Sequence, residues 1–248
     1  MTLEQFFKEN PKAAIAFSGG VDSAYLLYAA CRYAEKVKAY YVKTAFQPQF
    51  ELEDARELVK ELGADMKVLM VDVLCKSDVI ENPPDRCYHC KKNLFAYIIE
   101  AAQKDGFGVL LDGTNASDDA SDRPGMKALR ELAVRSPLRE CGLTKAQIRA
   151  LSKEAGLFTW NKPAYACLAT RIPTGEVITA EKLQATETAE TYLSALGLRD
   201  FRVRMQGSGA KLQVTEADLP KVIHNRSQIV TELKKYYSSV VLDMEVRK

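Results

Sequence analysis

The chain has 248 residues, with 35 basic and 33 acidic side chains and a net charge of +2. A hydrophobic content of 47% and a charged content of 27% are those of a globular protein with a sizeable core. The near-neutral charge provides no global field for nucleic acid, and no apolar run approaches the roughly 18 residues of a membrane-spanning helix. The N-terminus lacks the basic and apolar regions of a signal peptide, so we expect a cytoplasmic protein without nucleic-acid or membrane partners.

Apolar runs alternate with amphipathic segments through the first two thirds of the chain. Predicted strands cover 13–17, 37–43, 66–71 and 108–111, and predicted helices begin at Asp22 and cover 51–63, 91–104 and 144–155. Helices over 180–196 and 216–236 and strands over 201–205, 211–215 and 239–244 follow. We therefore predict an α/β fold, with a parallel sheet flanked by helices over 1–160. A cysteine-bearing connecting loop over 161–178 leads to a small α+β domain over 179–248, for substrate binding or oligomerisation.

The turn after the first predicted strand reads Ser18-Gly19-Gly20-Val21-Asp22-Ser23. The two glycines leave backbone N–H groups open to an anion, and Ser18 and Ser23 add hydroxyl donors. Because the turn opens a helix, the helix dipole also favours negative charge there, and we expect a polyphosphate ligand. The motif lacks the lysine of a Walker loop and the spacing of a dinucleotide fingerprint. The alternative is an ordinary glycine turn.

A second polar loop, Asp112-Gly113-Thr114-Asn115, follows a later predicted strand. Ligands of open α/β sheets bind at the carboxyl ends of strands, so we expect this loop beside the first one. The polar segment 116–135 comes next and contains Asp118, Asp119, Asp122 and Arg123. We expect it to cover the site as a functional loop, with a mobile surface connection as the alternative.

Six cysteines in a reducing compartment are not expected to form a disulfide framework. Cys87 and Cys90 form a C-x-x-C at the start of a predicted helix, where thiolates are favoured. Cys167 lies in a proline-bounded loop, and the nearby Arg171 would stabilise a thiolate or a bound phosphate. Three cysteines with one open iron position fit a [4Fe–4S] cluster better than a four-ligand zinc site. A dithiol or persulfide relay and unrelated structural thiols stay open, and Cys31 is expected in the core.

Arg202 and Arg204 alternate along one face of a predicted strand. A guanidinium can bind a phosphate through two parallel hydrogen bonds, so both are candidates for holding a substrate phosphate. Exposed strand arginines without a ligand are the alternative.

The first loop resembles that of the ATP pyrophosphatase (PP-loop) superfamily, which has an adenine nucleotide α-hydrolase-like fold. Its members adenylate a carbonyl or carboxyl oxygen, release pyrophosphate, and let a nitrogen or sulfur nucleophile displace AMP. The resemblance implies ATP and Mg²⁺, with Asp22 holding the metal or the pyrophosphate. The residues expected to bind ATP are Ser18, Gly19, Gly20, Asp22, Ser23, Asp112 and Gly113.

Nearly the whole chain is similar to the LarE family. The motifs that carry the resemblance, besides the first loop, lie at 85–92, 111–115, 122–125, 160–163, 167–171 and 202–204. LarE proteins adenylate a carboxylate of pyridinium-3,5-biscarboxylic acid mononucleotide and convert it to a thiocarboxylate. The product feeds the nickel-pincer nucleotide cofactor. The resemblance therefore implies a small-molecule nucleotide substrate, and it also implies a homo-oligomer.

Two branches of that family differ in their source of sulfur. In one, a single cysteine at the position of Cys167 gives up its own sulfur and is left as dehydroalanine. The other branch also carries a C-x-x-C and is thought to hold a [4Fe–4S] cluster that passes on an extra sulfide. Because Cys87 and Cys90 are present, the chain resembles the second branch, with Cys87, Cys90 and Cys167 as cluster ligands and sulfide or another sulfur donor as partner.

Three other functions stay open at this point. A tRNA thiolase of the same superfamily would share the first loop and the three cysteines, but it predicts a basic RNA-binding extension. An ammonia-dependent synthetase would need the loop without the cysteines. A nucleotide sensor would bind ATP without releasing pyrophosphate.

Overall fold

The computed structural model describes residues 1–118 and 124–247. The strands in these ranges are β1 (Lys12–Ala16), β2 (Lys36–Lys43), β3 (Met66–Met70), β4 (Leu110–Leu111), β5 (Phe201–Gln206), β6 (Gly209–Val214) and β7 (Val240–Leu242). The α-helices are α1 (Leu3–Glu9), α2 (Val21–Tyr33), α3 (Gln49–Leu62), α4 (Ser77–Ile80), α5 (Arg86–Lys104), α6 (Pro124–Glu131), α7 (Pro137–Glu140), α8 (Lys145–Glu154), α9 (Ala180–Ala195), α10 (Leu219–His224) and α11 (Arg226–Leu233). None of the helices in the described ranges is long and apolar enough to cross a membrane.

The chain forms two compact units, one made of Met1–Val73 and Asp85–Ala164, the other of Leu74–Pro84 and Tyr165–Lys248. The second unit includes the short segment Leu74–Pro84, which precedes α5, and its larger part begins at Tyr165. The domain boundaries predicted at 160 and 178 differ from this division. The physical reason is hydrogen bonding over a long sequence distance, since the Asn82 side chain donates to the Pro173 carbonyl at 2.8 Å. The Ile178 amide likewise donates to the carbonyl of Ile80 at 2.8 Å.

The first unit is built on a parallel sheet in the order β3-β2-β1-β4. Side chains of the central strand β1 alternate between two cores. Ala13 and Ile15 pack with residues of α1, α2 and α3, whereas Ala14 packs with residues of α5 and α6. Helices thus cover both faces of the sheet, which is why β1 reads as an unbroken apolar run. The predicted class, a parallel sheet flanked by helices, is confirmed.

Helix α2 leaves the carboxyl end of β1 and packs on the sheet. It buries Ala24, Leu26, Leu27 and Ala30 at helical spacing, as expected. Cys31 was predicted to share this core, and that prediction is wrong, since the side chain is exposed. One residue beyond Ala30 the helix has turned by about 100°, which points the thiol away from the sheet.

The second unit contains a three-stranded sheet in the order β5-β6-β7. β5 and β6 are antiparallel, and β6 and β7 are parallel. Helices α9, α10 and α11 bury Leu193, Val222, Ile229 and Leu233 in one core with β5 and β6. The second, smaller C-terminal sheet expected from the sequence is thereby confirmed.

The continuous helix predicted over 216–236 is wrong. A 3-10 turn at Glu216–Asp218 leads into α10, which ends at His224, and Asn225 separates it from α11. The Asn225 side chain donates to the carbonyl of Lys221 at 2.8 Å. An asparagine amide that bonds to the backbone in this way competes with the next helical turn, and the helix breaks there.

Candidate functional site

The loop Ser18–Ser23 connects the central strand β1 to α2, at the carboxyl end of the sheet. Its hydroxyls hold the turn, with Ser18 Oγ 3.1 Å from Ser23 Oγ and Ser23 Oγ donating to the Gly20 carbonyl at 3.1 Å. Gly19 has a φ of 74°, in the left-handed region that glycine adopts without strain. The loop therefore has the glycine conformation and the hydroxyl groups that an anion cradle requires, at the start of a helix.

The loop Asp112–Asn115 lies directly against this cradle. A Cβ atom placed on Gly113 would stand 2.8 Å from the Ser23 backbone nitrogen, closer than side chains tolerate. Only a residue without a side chain permits this approach of two backbones. The predicted proximity of the two loops is confirmed, and the requirement for glycine at position 113 follows from it.

Asp112 is buried, and protein groups of the second loop and of Ser136 donate hydrogen bonds to its carboxylate. It accepts hydrogen bonds from Ser136 Oγ at 2.6 Å and Thr114 Oγ1 at 2.5 Å, and from the Thr114 amide at 3.3 Å. These contacts shape the loop that carries Gly113. A role of Asp112 in binding ATP directly stays a prediction.

Asp22 sits at the first turn of α2 and faces Lys145, the first residue of α8. Lys145 Nζ lies 2.6 Å from Asp22 Oδ2. The other oxygen, Oδ1, is buried and has no hydrogen-bond partner among the described residues. Sequence reasoning missed Lys145 because it stands 123 residues from Asp22. Its local signal is only that it follows the capping residue Thr144.

The chemistry of this carboxylate fits a divalent cation. Mg²⁺ takes oxygen ligands and is commonly held by one or two carboxylates together with substrate phosphates. A buried oxygen without a hydrogen-bond partner is costly, and a bound cation would relieve that cost. Asp22 Oδ1 is therefore a suitable Mg²⁺ ligand beside the cradle.

Cys87 and Cys90 lie in the first turns of α5, as predicted, with Cys87 exposed and Cys90 buried. A separation of three residues places both thiols on one side of the helix. The neighbouring Lys91 is partly buried, and this burial lowers the pKa of its ammonium. Electrostatic interactions with Asp112, Asp118 and Cys87 act in the opposite direction but are smaller. Among the described residues, no three His, Cys, Asp or Glu side chains form a group that could hold a metal ion.

Cys167 belongs to the second unit, where it caps a 3-10 turn at Leu168–Arg171. Arg171, expected to stabilise a thiolate or bind a phosphate, is buried and pairs with Glu190 instead, at 2.8 Å. Burial alone would lower the pKa of Arg171, but the hydrogen bonds and the charge of Glu190 outweigh it and raise the pKa. The guanidinium is thus occupied by protein groups.

Arg202 and Arg204 lie on β5 in the same unit. Arg202 stacks on the ring of Tyr165 at 5.2 Å, and Arg204 donates to the Thr170 carbonyl at 2.7 Å. Burial lowers the pKa of both guanidiniums, and the charges of Arg171 and Arg247 lower it further. Arg247 was not predicted from the sequence, because it reaches the cluster through pairing with a distant segment. A parallel bridge joins it to Thr215, the residue after β6.

The second unit brings four guanidiniums together, those of Arg171, Arg202, Arg204 and Arg247. Glu190 and Asp200 are among the carboxylates that face them, and Asp200 Oδ1 bonds to both Arg202 and Arg247. Arg204 pairs with no carboxylate among the described residues. This concentration of guanidiniums suits an anionic ligand such as a phosphate.

The segment 116–135 contains more regular structure than predicted. Helix α6 occupies Pro124–Glu131, so this part is not the loop that was expected. Lys91 packs against its first turn, since a Cβ on Gly125 would lie 3.2 Å from Lys91 Cδ. Asp119, Asp122 and Arg123, which belong to the segment expected to cover the site, lie outside the described residues.

Residues 12–81 match the family model described as queuosine biosynthesis protein QueC. The matched range covers β1, the cradle, β2 and β3. A tRNA-specific 2-thiouridylase MnmA of Thermotoga petrophila is 26% identical over 61% of this chain and 54% of its own length. Both similarities concern proteins with a PP-loop, in agreement with the structure of the first unit.

Three of the relatives match almost the whole chain, among them the following two. An uncharacterized protein of Synechocystis is 35% identical over 98% of this chain and 92% of its own length. The pyridinium-3,5-bisthiocarboxylic acid mononucleotide synthase of Lactiplantibacillus plantarum is 31% identical over 98% of this chain and 89% of its own length. This coverage includes both units and all the predicted site residues. The chain therefore belongs to the LarE family of PP-loop proteins.

Proposed function

We propose that this protein is an ATP-dependent sulfurtransferase that converts a carboxylate of pyridinium-3,5-biscarboxylic acid mononucleotide to a thiocarboxylate, for the nickel-pincer nucleotide cofactor. The observation that carries the proposal is the Ser18–Ser23 cradle closed against Gly113, with a buried Asp22 oxygen that lacks a hydrogen-bond partner in the described part of the chain. Membership of the LarE family supports the substrate class. The cytoplasmic location and the homo-oligomeric state stay predictions, which cell fractionation and light scattering would test.

The first step is adenylation in the first unit. Ser18, Ser23 and the backbone N–H groups of Gly19 and Gly20 bind the phosphates of ATP, and Asp22 holds Mg²⁺. A substrate carboxylate oxygen attacks the α-phosphorus. An O–P bond forms to give the acyl adenylate, and the bond to the bridging oxygen breaks so that pyrophosphate leaves with the electron pair. The Lys145 ammonium, next to Asp22, stabilises the negative charge that develops on the leaving group.

The substrate phosphate binds in the arginine cluster of the second unit. Arg202 and Arg204 are the primary donors, and Arg247 adds a third guanidinium. A phosphate monoester carries up to two negative charges near neutral pH and can accept bidentate hydrogen bonds from these guanidiniums. Binding the phosphate also reduces the repulsion from Arg171 and Arg247, which together with burial lowers the pKa of Arg202 and Arg204.

The second step exchanges oxygen for sulfur. Hydrosulfide attacks the acyl carbon, a C–S bond forms, the C–O bond to the phosphate breaks, and AMP leaves with that electron pair. The sulfur-bound proton goes to solvent, and no electrons are exchanged with a redox partner. In the family that the chain belongs to, the cysteine at the position of Cys167 takes part in sulfur transfer. We propose the same catalytic role for Cys167.

We further propose that Cys87, Cys90 and Cys167 hold a [4Fe–4S] cluster. Two thiols one helical turn apart on α5 fit such a cluster, because each iron takes its own thiolate and the ligands need not converge on one ion. When bound, the cluster would supply an iron with an open position for sulfide. Cys167 as a sacrificial sulfur donor is the alternative within the same family.

A tRNA thiolase is the second candidate, favoured by the similarity to MnmA over the PP-loop region. The two functions differ in their acceptor. Pyrophosphate release that depends on the mononucleotide supports the first function, whereas release that depends on tRNA supports the second. Release with neither acceptor present would contradict both.

Anaerobic purification with iron and sulfide analysis tests the cluster. We expect about four irons per chain in the parent protein and their loss in Cys87→Ala, Cys90→Ala and Cys167→Ala. Cys141→Ala is the control, because this thiol lies outside the predicted ligand set, and it should retain the iron. A parent protein without iron would overturn the cluster and favour Cys167 as the sulfur donor.

Asp22→Asn tests the adenylation site. Removing the charge that holds Mg²⁺ should slow pyrophosphate release by roughly 100-fold or more. Asp54→Asn is a matched control in the same unit. Asp54 lies on α3, outside the Ser18–Ser23 loop, and pairs with Lys162 at 2.6 Å. An Asp22→Asn protein with parental pyrophosphate release would contradict the proposed site.

A further inference from the structure

Arg171 is the least exposed charged side chain among the described residues. Its Nε and Nη2 donate to the two oxygens of Glu190 at 2.8 and 3.1 Å. Its Nη1 donates to the Ala166 carbonyl at 3.0 Å and to Thr170 Oγ1 at 2.8 Å, and it lies 3.5 Å from the carbonyl of Cys167. One buried guanidinium therefore joins helix α9 to the turn that carries Cys167.

The backbone of that turn is held from several sides. The Cys167 carbonyl also accepts from the Thr170 amide at 3.0 Å and from Thr170 Oγ1 at 2.8 Å. The hydroxyl of Thr170 thus links Arg171 to the same carbonyl. With its carbonyl fixed, the Cys167 backbone has little freedom, and the direction of its Cβ is set.

Glu190 connects this turn to the arginine cluster. Besides Arg171, its carboxylate accepts from Tyr165 Oη at 2.5 Å and from the Val203 amide of β5 at 2.9 Å. The Tyr165 ring contacts two guanidiniums, with Arg171 at 4.7 Å and Arg202 at 5.2 Å from its centroid. A single buried carboxylate thereby orients a proposed phosphate-binding residue and the cysteine turn together.

A buried ion pair contributes little to stability for its own sake. Removing two charges from water costs about as much as their attraction returns, and apolar replacements are often neutral or stabilising. In some proteins such a pair serves to fix one arrangement of the chain. Here the Arg171 donor that does not bond to Glu190, Nη1, bonds to groups of the Cys167 turn. The arrangement fixed by the pair is therefore that of this turn.

We infer that Arg171 and Glu190 are positioning residues, which hold the Cys167 turn and the Tyr165–Arg202 stack in the arrangement that sulfur transfer requires. The inference rests on the proposed function for the step that it affects. The geometry itself lies within the second unit and can be tested without substrate. The pair belongs to the second unit and the ATP cradle to the first, so adenylation should not depend on the pair.

The test compares Glu190→Gln, Arg171→Met and Arg171→Lys with the parent in three measurements. Hydrogen exchange of the unloaded protein reports on residues 165–172, the thermal midpoint reports on global stability, and a pair of assays separates pyrophosphate release from thiocarboxylate formation. We expect at least tenfold faster exchange in 165–172 for Arg171→Met, since the turn loses charge-assisted hydrogen bonds. Thiocarboxylate formation should fall by about tenfold or more with pyrophosphate release unchanged, and Arg171→Lys should restore part of the loss.

Glu181→Gln is the matched control, because Glu181 is an exposed carboxylate at the start of the same helix. It should change none of the three measurements. Parental exchange and parental sulfur transfer in Glu190→Gln and Arg171→Met would overturn the inference, as would an equal fall of both half-reactions that follows the thermal midpoint. If Arg171→Met does not fold, Tyr165→Phe removes one bond to Glu190 and should give a smaller change with the same separation. If the parent forms no thiocarboxylate, the proposed function fails, and hydrogen exchange alone decides the inference.

Discussion

The two units use opposite means to prepare for phosphate groups. In the first, small residues and backbone N–H groups form the cradle at Ser18–Ser23, and Gly113 is needed because the second loop lies against Ser23. In the second, Arg202 and Arg204 are fixed by Tyr165, Gln213 and backbone carbonyls in a cluster of guanidiniums.

The difference shows what each site can tolerate. A backbone cradle depends on close approach, so an added methyl group should harm it although no charge changes. A side-chain cluster depends on charge, so conservative changes of shape should matter less than the loss of a guanidinium. This contrast predicts an order of effects.

The largest effect is expected from Gly113→Ala. The new Cβ would stand 2.8 Å from the Ser23 nitrogen, so the two loops must separate. Overpacking of this kind costs about 1 to 3 kcal/mol, which corresponds to roughly 10- to 100-fold weaker ATP binding if the strain is released at the cradle. Isothermal titration with ATP measures it. Gly108→Ala is the control, since nothing lies within 4 Å of its Cβ position. Equal affinity of Gly113→Ala and parent would show that the cradle does not need this contact.

The next largest effect is expected from Arg204→Gln in the second unit. Loss of a charge-assisted hydrogen bond should weaken the binding of ribose 5-phosphate by roughly 10- to 100-fold. Because the interaction is electrostatic, the difference from the parent should shrink as salt is added. Lys211→Gln is the matched control, since Lys211 stands opposite Arg204 in the register of β5 and β6 and pairs with Asp243. Similar losses in both variants would indicate a general charge effect and no specific site.

A smaller effect is expected from Lys145→Met, which removes the ammonium group that pairs with Asp22 of the cradle. The KM for ATP should rise by about tenfold, because one charge-assisted contact to phosphate is lost. Lys153→Met, on the same helix with its ammonium 4.8 Å from the Trp160 ring, should leave this KM unchanged. A parental KM in Lys145→Met would mean that Lys145 serves only to neutralise Asp22.

The smallest effect is expected from Asp105→Asn, which removes a charged group of the first unit that is not part of the cradle. Asp105 accepts from Tyr40 Oη at 2.9 Å and pairs with Lys38 and Lys67, and these contacts lower its pKa from the ordinary value of 3.8. A lowered pKa in the folded state stabilises the protein above the unfolded pKa, and this contribution is lost as the pH falls through the folded pKa. The urea midpoints of Asp105→Asn and parent should therefore differ near neutral pH and converge in acid.

Glu100→Gln is the control for that prediction. Its exposed pair with Lys104 on α5 should contribute almost nothing at any pH. A difference between Asp105→Asn and the parent that grows in acid would contradict the sign of the shift.

Much of the first unit could be predicted from local patterns. The apolar run before Ser18 identified a strand covered on both faces, and the glycine motif identified the cradle, since both depend on neighbours in sequence. The C-x-x-C at Cys87 and Cys90 was placed correctly at a helix start for the same reason. Helix α6 was missed within a polar segment, and the break at Asn225 was missed within an amphipathic one.

The sequence by itself determined the strands, the cradle and the residue types of the two candidate sites, because periodicity, glycine and proline act over a few residues. Only the tertiary structure decided which distant groups meet. Lys145 reaches Asp22, Glu190 occupies Arg171, and residues 74–84 join the second unit. Such pairings depend on how whole elements pack, and the packing leaves no local trace in the order of the amino acids.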